Sequence, residues 1–257
     1  MPRRRRLSAK VWPEGVGRIV LDTTDSTNLE AARRAASCTE PTWIMAAFQT
    51  GGRGRRARPW VSPRGNFHAT LLMHPKGGPA QAALRSFIAS LALGEALAHL
   101  TGTPEAIRLK WPNDVLLNGG KVSGILLESL GTQGGVDHLA VGIGVNLIAA
   151  PTPDQVEARA VTPVSVLSET GQRIAPETLL TALAAAFARL EAEFAAHGFA
   201  PIRERWLARA ARLGERIVAR TGTINHEGIF ETIDSTGALV LRTDAGTLTL
   251  PAADIHF

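Results

Sequence analysis

The alternation of apolar and polar positions from Gly17 to Asp22 predicts a strand, and Asp25-Ser26-Thr27-Asn28-Leu29-Glu30 then opens a helix. Thr27 with Glu30 three residues on has the form of a capping box, and Leu29, Ala32 and Ala36 continue at helical spacing. Trp43 to Phe48 reads as a buried strand and Phe67 to Met73 as another. Between them, Gln49 to Asn66 holds four Gly, two Pro and five Arg with no acidic residue, which makes it a loop. Gly78-Pro79 introduces an Ala/Leu-rich helix reaching about Leu100. Ile107 to Lys110, Val115 to Leu117, Val122 to Ser129 and Leu139 to Leu147 are short strand-like runs between turn residues. They predict a largely antiparallel or mixed sheet.

Ala149 to Pro163 is punctuated by proline and reads as a loop. Pro176 to His197 predicts an amphipathic helix with Leu179, Leu183, Phe187, Leu190 and Phe194 on one stripe, and Pro201 to Ala211 a further helix. After Gly214 the pattern changes to closely spaced short strands: Arg216 to Arg220, Gly228 to Asp234, Ala238 to Thr243 and Thr247 to Leu250. Thr236-Gly237 and Ala245-Gly246 supply turns, and short strands at this close spacing predict a small SH3-like barrel. The organisation expected is an α+β fold: a basic tail over 1–16, a main domain over 17–212 and a small β domain over 213–257.

A chain of 257 residues, 45% hydrophobic and 20% charged, is long enough to bury a core of this kind. No run of 18 apolar residues occurs, so no membrane span is expected, and the segment after Arg3 to Arg6 lacks the apolar core of a secretory signal. Cys38 is the sole cysteine, which excludes an intrachain disulfide and a thiolate metal cluster and suits a reducing, cytoplasmic setting. The net charge of +5 is local. Four Arg lie in 3–6 and five in 53–64; without those nine, 19 basic residues face 23 acidic ones, a balance of −4.

Several chemistries are absent. Gly120-Lys121 is followed by Val122 and so is no phosphate-binding Walker loop, and Gly142-Ile143-Gly144 lacks the third glycine of a dinucleotide fingerprint. The residues around Ser123 do not form a hydrolase elbow, and the seven histidines include no pair at metal-ligand spacing.

Two segments carry positive signals. Gly51-Gly52-Arg53-Gly54-Arg55-Arg56-Ala57-Arg58-Pro59-Trp60 combines glycines that let backbone N–H groups approach an anion with guanidinium forks that grip its oxygens. It reads either as a loop closing over a polyanionic ligand or as an exposed basic loop, including a nonspecific RNA contact. Lys110-Trp111-Pro112-Asn113-Asp114 makes a tight turn, and Lys121 heads an apolar strand where it needs an anionic partner, such as a ligand carboxylate or phosphate.

These residues resemble the biotin protein ligases. Asp25-Ser26-Thr27-Asn28, Gln49 through Trp60, Lys110 through Gly124 and Gly142-Ile143-Gly144-Val145-Asn146-Leu147 recur in that family's order, and the likeness runs from about residue 17 to the C-terminus. The resemblance implies a catalytic domain related to class II aminoacyl-tRNA synthetases, followed by an SH3-like domain. It implies ATP and biotin as substrates with Mg2+, biotinyl-5′-AMP as intermediate, and a biotin carboxyl carrier protein of acetyl-CoA carboxylase or another biotin-dependent carboxylase as acceptor. Ser26, Thr27, Asn28 and Gln49 match biotin-binding positions, although a helix cap also accounts for Thr27. Gly52, Arg53 and Arg55 match the loop that orders over biotin and its adenylate. Lys121, with Gly124 beside it, matches the lysine that meets the activated carboxyl and α-phosphate, so Lys121, Arg53 and Arg55 are the expected catalytic group. Arg56, Arg58, Trp60, Lys110, Asn113, Asp114 and Asn146 fall on the nucleotide side, with Asp114 placing magnesium; Gly142 and Gly144 complete the pocket floor. Trp60 packs the closed loop down or is a plain core residue.

Two departures stand out: Ala57 where the family commonly has Gly, and Phe67-His68 in place of Leu-Tyr, in a chain without tyrosine. With 24 residues before Asp25, no winged helix-turn-helix and no operator binding are expected. The oligomeric state, monomer or homodimer, is open. Lipoate or octanoate transfer, the latter using Cys38 as nucleophile, and RNA binding are the alternative functions; with aromatics at 5% the chain is poor in stacking platforms.

Overall fold

The computed structural model describes residues 11–131, 136–152, 155–156 and 161–256. The Arg3 to Arg6 tail and part of the loop expected over 149–163 lie outside these residues.

Seven strands form one mixed sheet: β1 (Gly17–Thr24), β2 (Thr42–Gln49), β3 (Phe67–Met73), β4 (Ile107–Lys110), β5 (Asp114–Leu117), β6 (Gly120–Leu130) and β7 (His138–Val145). Their order is β1-β2-β3-β7-β6-β5-β4; β1 and β2 run parallel and every other neighbouring pair antiparallel. The helix expected from Pro79 is divided at Leu84 into α2 (Pro79–Ala83) and α3 (Arg85–Thr101). Thirteen residues of α3 are buried, so its apolar character is that of a core helix.

One face of the sheet packs against α3 and α5 (Pro176–His197), whose stripe Leu179, Leu183, Phe187, Leu190 and Phe194 is buried as the periodicity predicts. α6 closes this layer over Ala200–Leu207, shorter than the run to Ala211, with Trp206 packed edge-on to Phe87. Between β7 and α5 lies a short helix that the pattern did not reveal, α4 (Val166–Thr170). Ser165 and Ser168 cap it reciprocally, and that Ser-x-x-Ser spacing was its available signal.

The opposite face is only half covered. α1 (Thr27–Arg34) lies across β2, β3 and β7, burying Ala31 with Ile44, Leu72 and Ala140. Its cap corrects the sequence expectation. Ser26 is the N-cap, Thr27 turns its hydroxyl to Gln49, and Glu30 pairs with Arg33 and Arg34. The buried face is Thr27, Asn28 and Ala31, while Ala32 and Ala36 are exposed, because long-range polar partners outcompete the local apolar spacing.

The last segment is a five-stranded antiparallel sheet of order β11-β10-β9-β8-β12. Its strands are β8 (Arg216–Thr221), β9 (Ile224–Ile233), β10 (Leu239–Thr243), β11 (Gly246–Leu250) and β12 (Asp254–His256). Trp111 ties it to the large sheet: its indole N–H donates to the Gly237 carbonyl at 3.0 Å.

Candidate active site

Beside α1, the part of the same sheet face over β7, β6 and β5 floors a cavity of about 530 Å³, a size suited to a small-molecule substrate. The arginine-rich loop and β12 wall it. Strand register explains which side chains reach it. Asp114 pairs with Gly124, Gly124 with Gly144 and Gly144 with His68, so these four share one face across four strands. Two central positions of that row are glycine, and the Trp60 indole lies on them: a Cβ on Gly144 would meet Nε1 at 2.4 Å and one on Gly124 would meet the ring at 3.2 Å.

Lys121 is three residues from Gly124, a spacing that puts side chains on opposite faces of a regular strand. The β5–β6 register shifts between Val115 and Leu116: Ser123 opposes Val115 and Lys121 opposes Leu116, leaving Val122 as the extra residue. This bulge turns Lys121 back onto the cavity face, where its Cε would lie 3.8 Å from a Cβ on Gly124. Lys121 Nζ donates to Asp114 Oδ1 at 2.8 Å, and Lys110 Nζ lies 3.6 Å from Asp114 Oδ2. The anionic partner that the sequence required for Lys121 is thus supplied within the chain. Burial acts to raise the Asp114 pKa, but Lys121, Lys110 and Arg55 outweigh it and hold the carboxyl below its usual range. Burial lowers the pKa of Lys110.

At the other end of the cavity a polar network is closed on itself. Gln49 Oε1 accepts from Thr27 N at 2.8 Å and Thr27 Oγ1 at 3.1 Å, while Gln49 Nε2 donates to Ser62 Oγ at 2.9 Å. Thr70 Oγ1 donates to Asn28 Oδ1 at 2.6 Å, and Asn28 Nδ2 donates to Glu128 Oε2 at 2.6 Å. Gly142 leaves room for that carboxamide, since a Cβ there would lie 2.2 Å from Asn28 Oδ1. Ser26 caps α1 without a side-chain hydrogen bond and lines the cavity. Sequence reasoning missed Ser62, Thr70 and Glu128, which support this network from other segments.

The loop folds as a hairpin: Arg53 bridges Pro59, Gly54 N donates to Arg58 O at 2.8 Å, and Trp60 N donates to Gly52 O at 2.9 Å. Gly52 is required here, because a Cβ would lie 2.6 Å from Ser62 Oγ and 2.7 Å from Trp60 O. Ala57 occupies the left-handed region at φ +57°, so the departure from glycine falls where an L side chain is disfavoured. Arg53, Arg55 and Arg58 line the cavity, and Arg56 and Arg58 pair with Asp254 on β12, a residue that sequence reasoning did not single out. Burial lowers the pKa of Arg55.

The remaining expected residues are also here. Asn113 lines the cavity and donates from Nδ2 to Ile125 O at 2.6 Å; Asn146 Nδ2 donates to Val164 O at 3.1 Å, while its buried Oδ1 has no hydrogen-bond partner. Of the expected site residues, Gly52 and Arg56 are not in contact with the cavity; they shape the loop beside it.

Residues 17–146 match the model of the Biotin/lipoate A/B protein ligase family, and residues 213–257 match the biotin protein ligase C-terminal domain. The chain is 55% identical over 238 residues to a biotin–[acetyl-CoA-carboxylase] ligase of Paracoccus denitrificans, covering 93% of this chain and 99% of that one. It is 31% identical over 240 residues to a bifunctional ligase/repressor of Bacillus subtilis, covering 92% of this chain and 72% of that protein. Among solved structures, a biotin protein ligase from Aquifex aeolicus in complex with biotin and ATP superposes with a TM-score of 0.79 at 25% identity, covering 93% and 97% of the two chains. The chain belongs to the biotin/lipoate protein ligase family, with the C-terminal domain of the biotin protein ligases.

Proposed function

We propose that this protein is an ATP-dependent biotin–protein ligase whose acceptor is the carrier domain of acetyl-CoA carboxylase or a related carboxylase. The observation that carries the reading is one cavity holding both an amide-and-hydroxyl end (Ser26, Thr27, Asn28, Gln49) and a cationic end (Arg53, Arg55, Lys110, Lys121). A neutral ureido ring suits the first, and a carboxylate and triphosphate suit the second. In the first half-reaction the biotin carboxylate attacks the α-phosphorus of ATP, forming an O–P bond as pyrophosphate leaves. In the second, the neutral amine of the acceptor lysine attacks the acyl carbon, an amide forms, AMP departs and the amine gives up its proton.

Neither step needs a nucleophile from the protein, and catalysis rests on position and charge. Lys121 donates to the oxygens on which negative charge accumulates, handed over from Asp114. Arg53 and Arg55 close the hairpin over the adenylate and keep water from it. Asn146, with an unsatisfied buried oxygen, is placed for a ligand donor.

Magnesium does not find a site in the protein residues alone. No cluster of three His, Cys, Asp or Glu suited to a metal occurs among the described residues, and both oxygens of Asp114 face ammonium groups. The ion suits the phosphates of the nucleotide better than this carboxylate.

The small sheet is read as an SH3-like barrel. Octanoyl transfer through Cys38 is disfavoured, since Cys38 does not line the cavity and its Sγ lies 3.0 Å from the Glu40 carbonyl oxygen. RNA binding through the loop is disfavoured by the pairing of Arg56 and Arg58 with Asp254. Incubation of a purified carrier domain with MgATP and, in separate arms, biotin, lipoate or octanoate tests the reading: one lysine gains one biotinyl group in the biotin arm, whereas a lipoyl or octanoyl gain with no biotinyl gain contradicts it.

A further inference from the structure

Asp254 sits on the final strand of the small domain, 196 residues from Arg58, yet it lines the same cavity as the loop. Four guanidinium groups converge on it. Arg56 Nη1 donates to Oδ2; Arg58 Nη2 lies 3.4 Å from Oδ2 and Arg55 Nη1 4.0 Å from Oδ1. Arg220, opposite Asp254 in the β8–β12 register, adds a contact at 3.8 Å. Three of the four belong to the segment read above as the phosphate-gripping loop. A carboxylate presented to that many guanidinium groups has the chemistry of a phosphate oxygen pair.

We infer that Asp254 is a positioning residue for the loop: its carboxylate takes the anion position among Arg55, Arg56 and Arg58 and competes for them with the triphosphate. The small domain thereby holds the hairpin near its closed form, and nucleotide must draw the guanidinium groups away. Competition fixes the sign of the effect. Removing the carboxylate loosens the loop in nucleotide-free protein and also removes a like charge from the path of the triphosphate, so ATP binds more tightly. The competition with ATP rests on the ligase reading; the hold on the loop does not.

The test compares Asp254→Asn and Arg56→Gln with the unmodified protein by amide hydrogen exchange across residues 53–58 and by calorimetric ATP binding, neither of which needs turnover. Asp254→Asn speeds loop exchange without nucleotide and lowers the Kd for ATP on the order of fivefold, the scale of a partly exposed ion pair. Saturating ATP removes the exchange difference, and Asp254→Glu restores the original behaviour. Arg56→Gln, a change in an exposed loop side chain, speeds exchange in the same way, and the double variant adds little further. Unchanged exchange, additive effects or a weaker ATP affinity in Asp254→Asn overturns the inference. If ATP tightens as stated but biotin-dependent chemistry is absent, the latch stands and the ligase reading fails.

Discussion

Lys121 reaches Asp114 at 2.8 Å because a bulge at Val122 returns the lysine to the cavity face of β6. In the register of an uninterrupted strand, Lys121 and Gly124 would lie on opposite faces, and the ammonium would leave the cavity. The bulge is therefore part of the site.

Lys121→Ala should lower the rate of adenylate formation by about tenfold to a few hundredfold, the loss expected for a charge-assisted contact of about 1.5 to 3 kcal/mol. Lys121→Arg should not restore it, since a planar fork replaces a compact ammonium. Single-turnover formation of the adenylate measures this, and near-normal rates in Lys121→Ala would remove the lysine from the mechanism.

Arg53→Ala and Arg55→Ala should each release the adenylate about tenfold or more faster, by the same energetic scale. The readout is the dissociation rate of preformed biotinyl-5′-AMP. An unchanged rate in both variants contradicts the proposed closure.

Gly144→Ala should displace the Trp60 indole, because the added methyl would lie 2.4 Å from Nε1. Overpacking of this kind costs about 1 to 3 kcal/mol, so biotin affinity should fall about tenfold. Binding calorimetry decides; equal affinity would show that Trp60 can move aside freely.

His68 is almost fully buried, 1% exposed, and burial pulls its pKa down to about 4. Above its unfolded pKa of about 6.5 the ring is neutral in both states and has no effect. As pH falls from there toward about 4, the unfolded chain takes a proton that the folded one refuses, so stability declines across that window by up to about 3 kcal/mol. His68→Gln, which keeps a donor for the Pro63 carbonyl at 3.4 Å, should flatten the decline. Urea unfolding at pH 7, 6 and 5 measures both slopes, and identical slopes contradict the assignment.

Much of this site was legible in the sequence because its signals are local. The arginine-glycine hairpin, the Lys110 to Asp114 turn and the buried stripe of α5 depend on residues within one element. What was illegible depends on partners far along the chain. Thr27 turns its hydroxyl to Gln49, 22 residues away, instead of capping α1, and Asp254 owes its place to Arg56, 198 residues away. The bulge at Val122 belongs to the pairing of two strands, which neither strand's alternation reveals.

Biotin activation by ATP is the step on which the ligase function rests. It is tested most directly by exchange of labelled pyrophosphate into ATP by the purified protein, with biotin, lipoate and octanoate compared side by side. Exchange that depends on biotin, and is absent with the other two acids, is the predicted result. Exchange with lipoate or octanoate in place of biotin, or with none of the three, contradicts it.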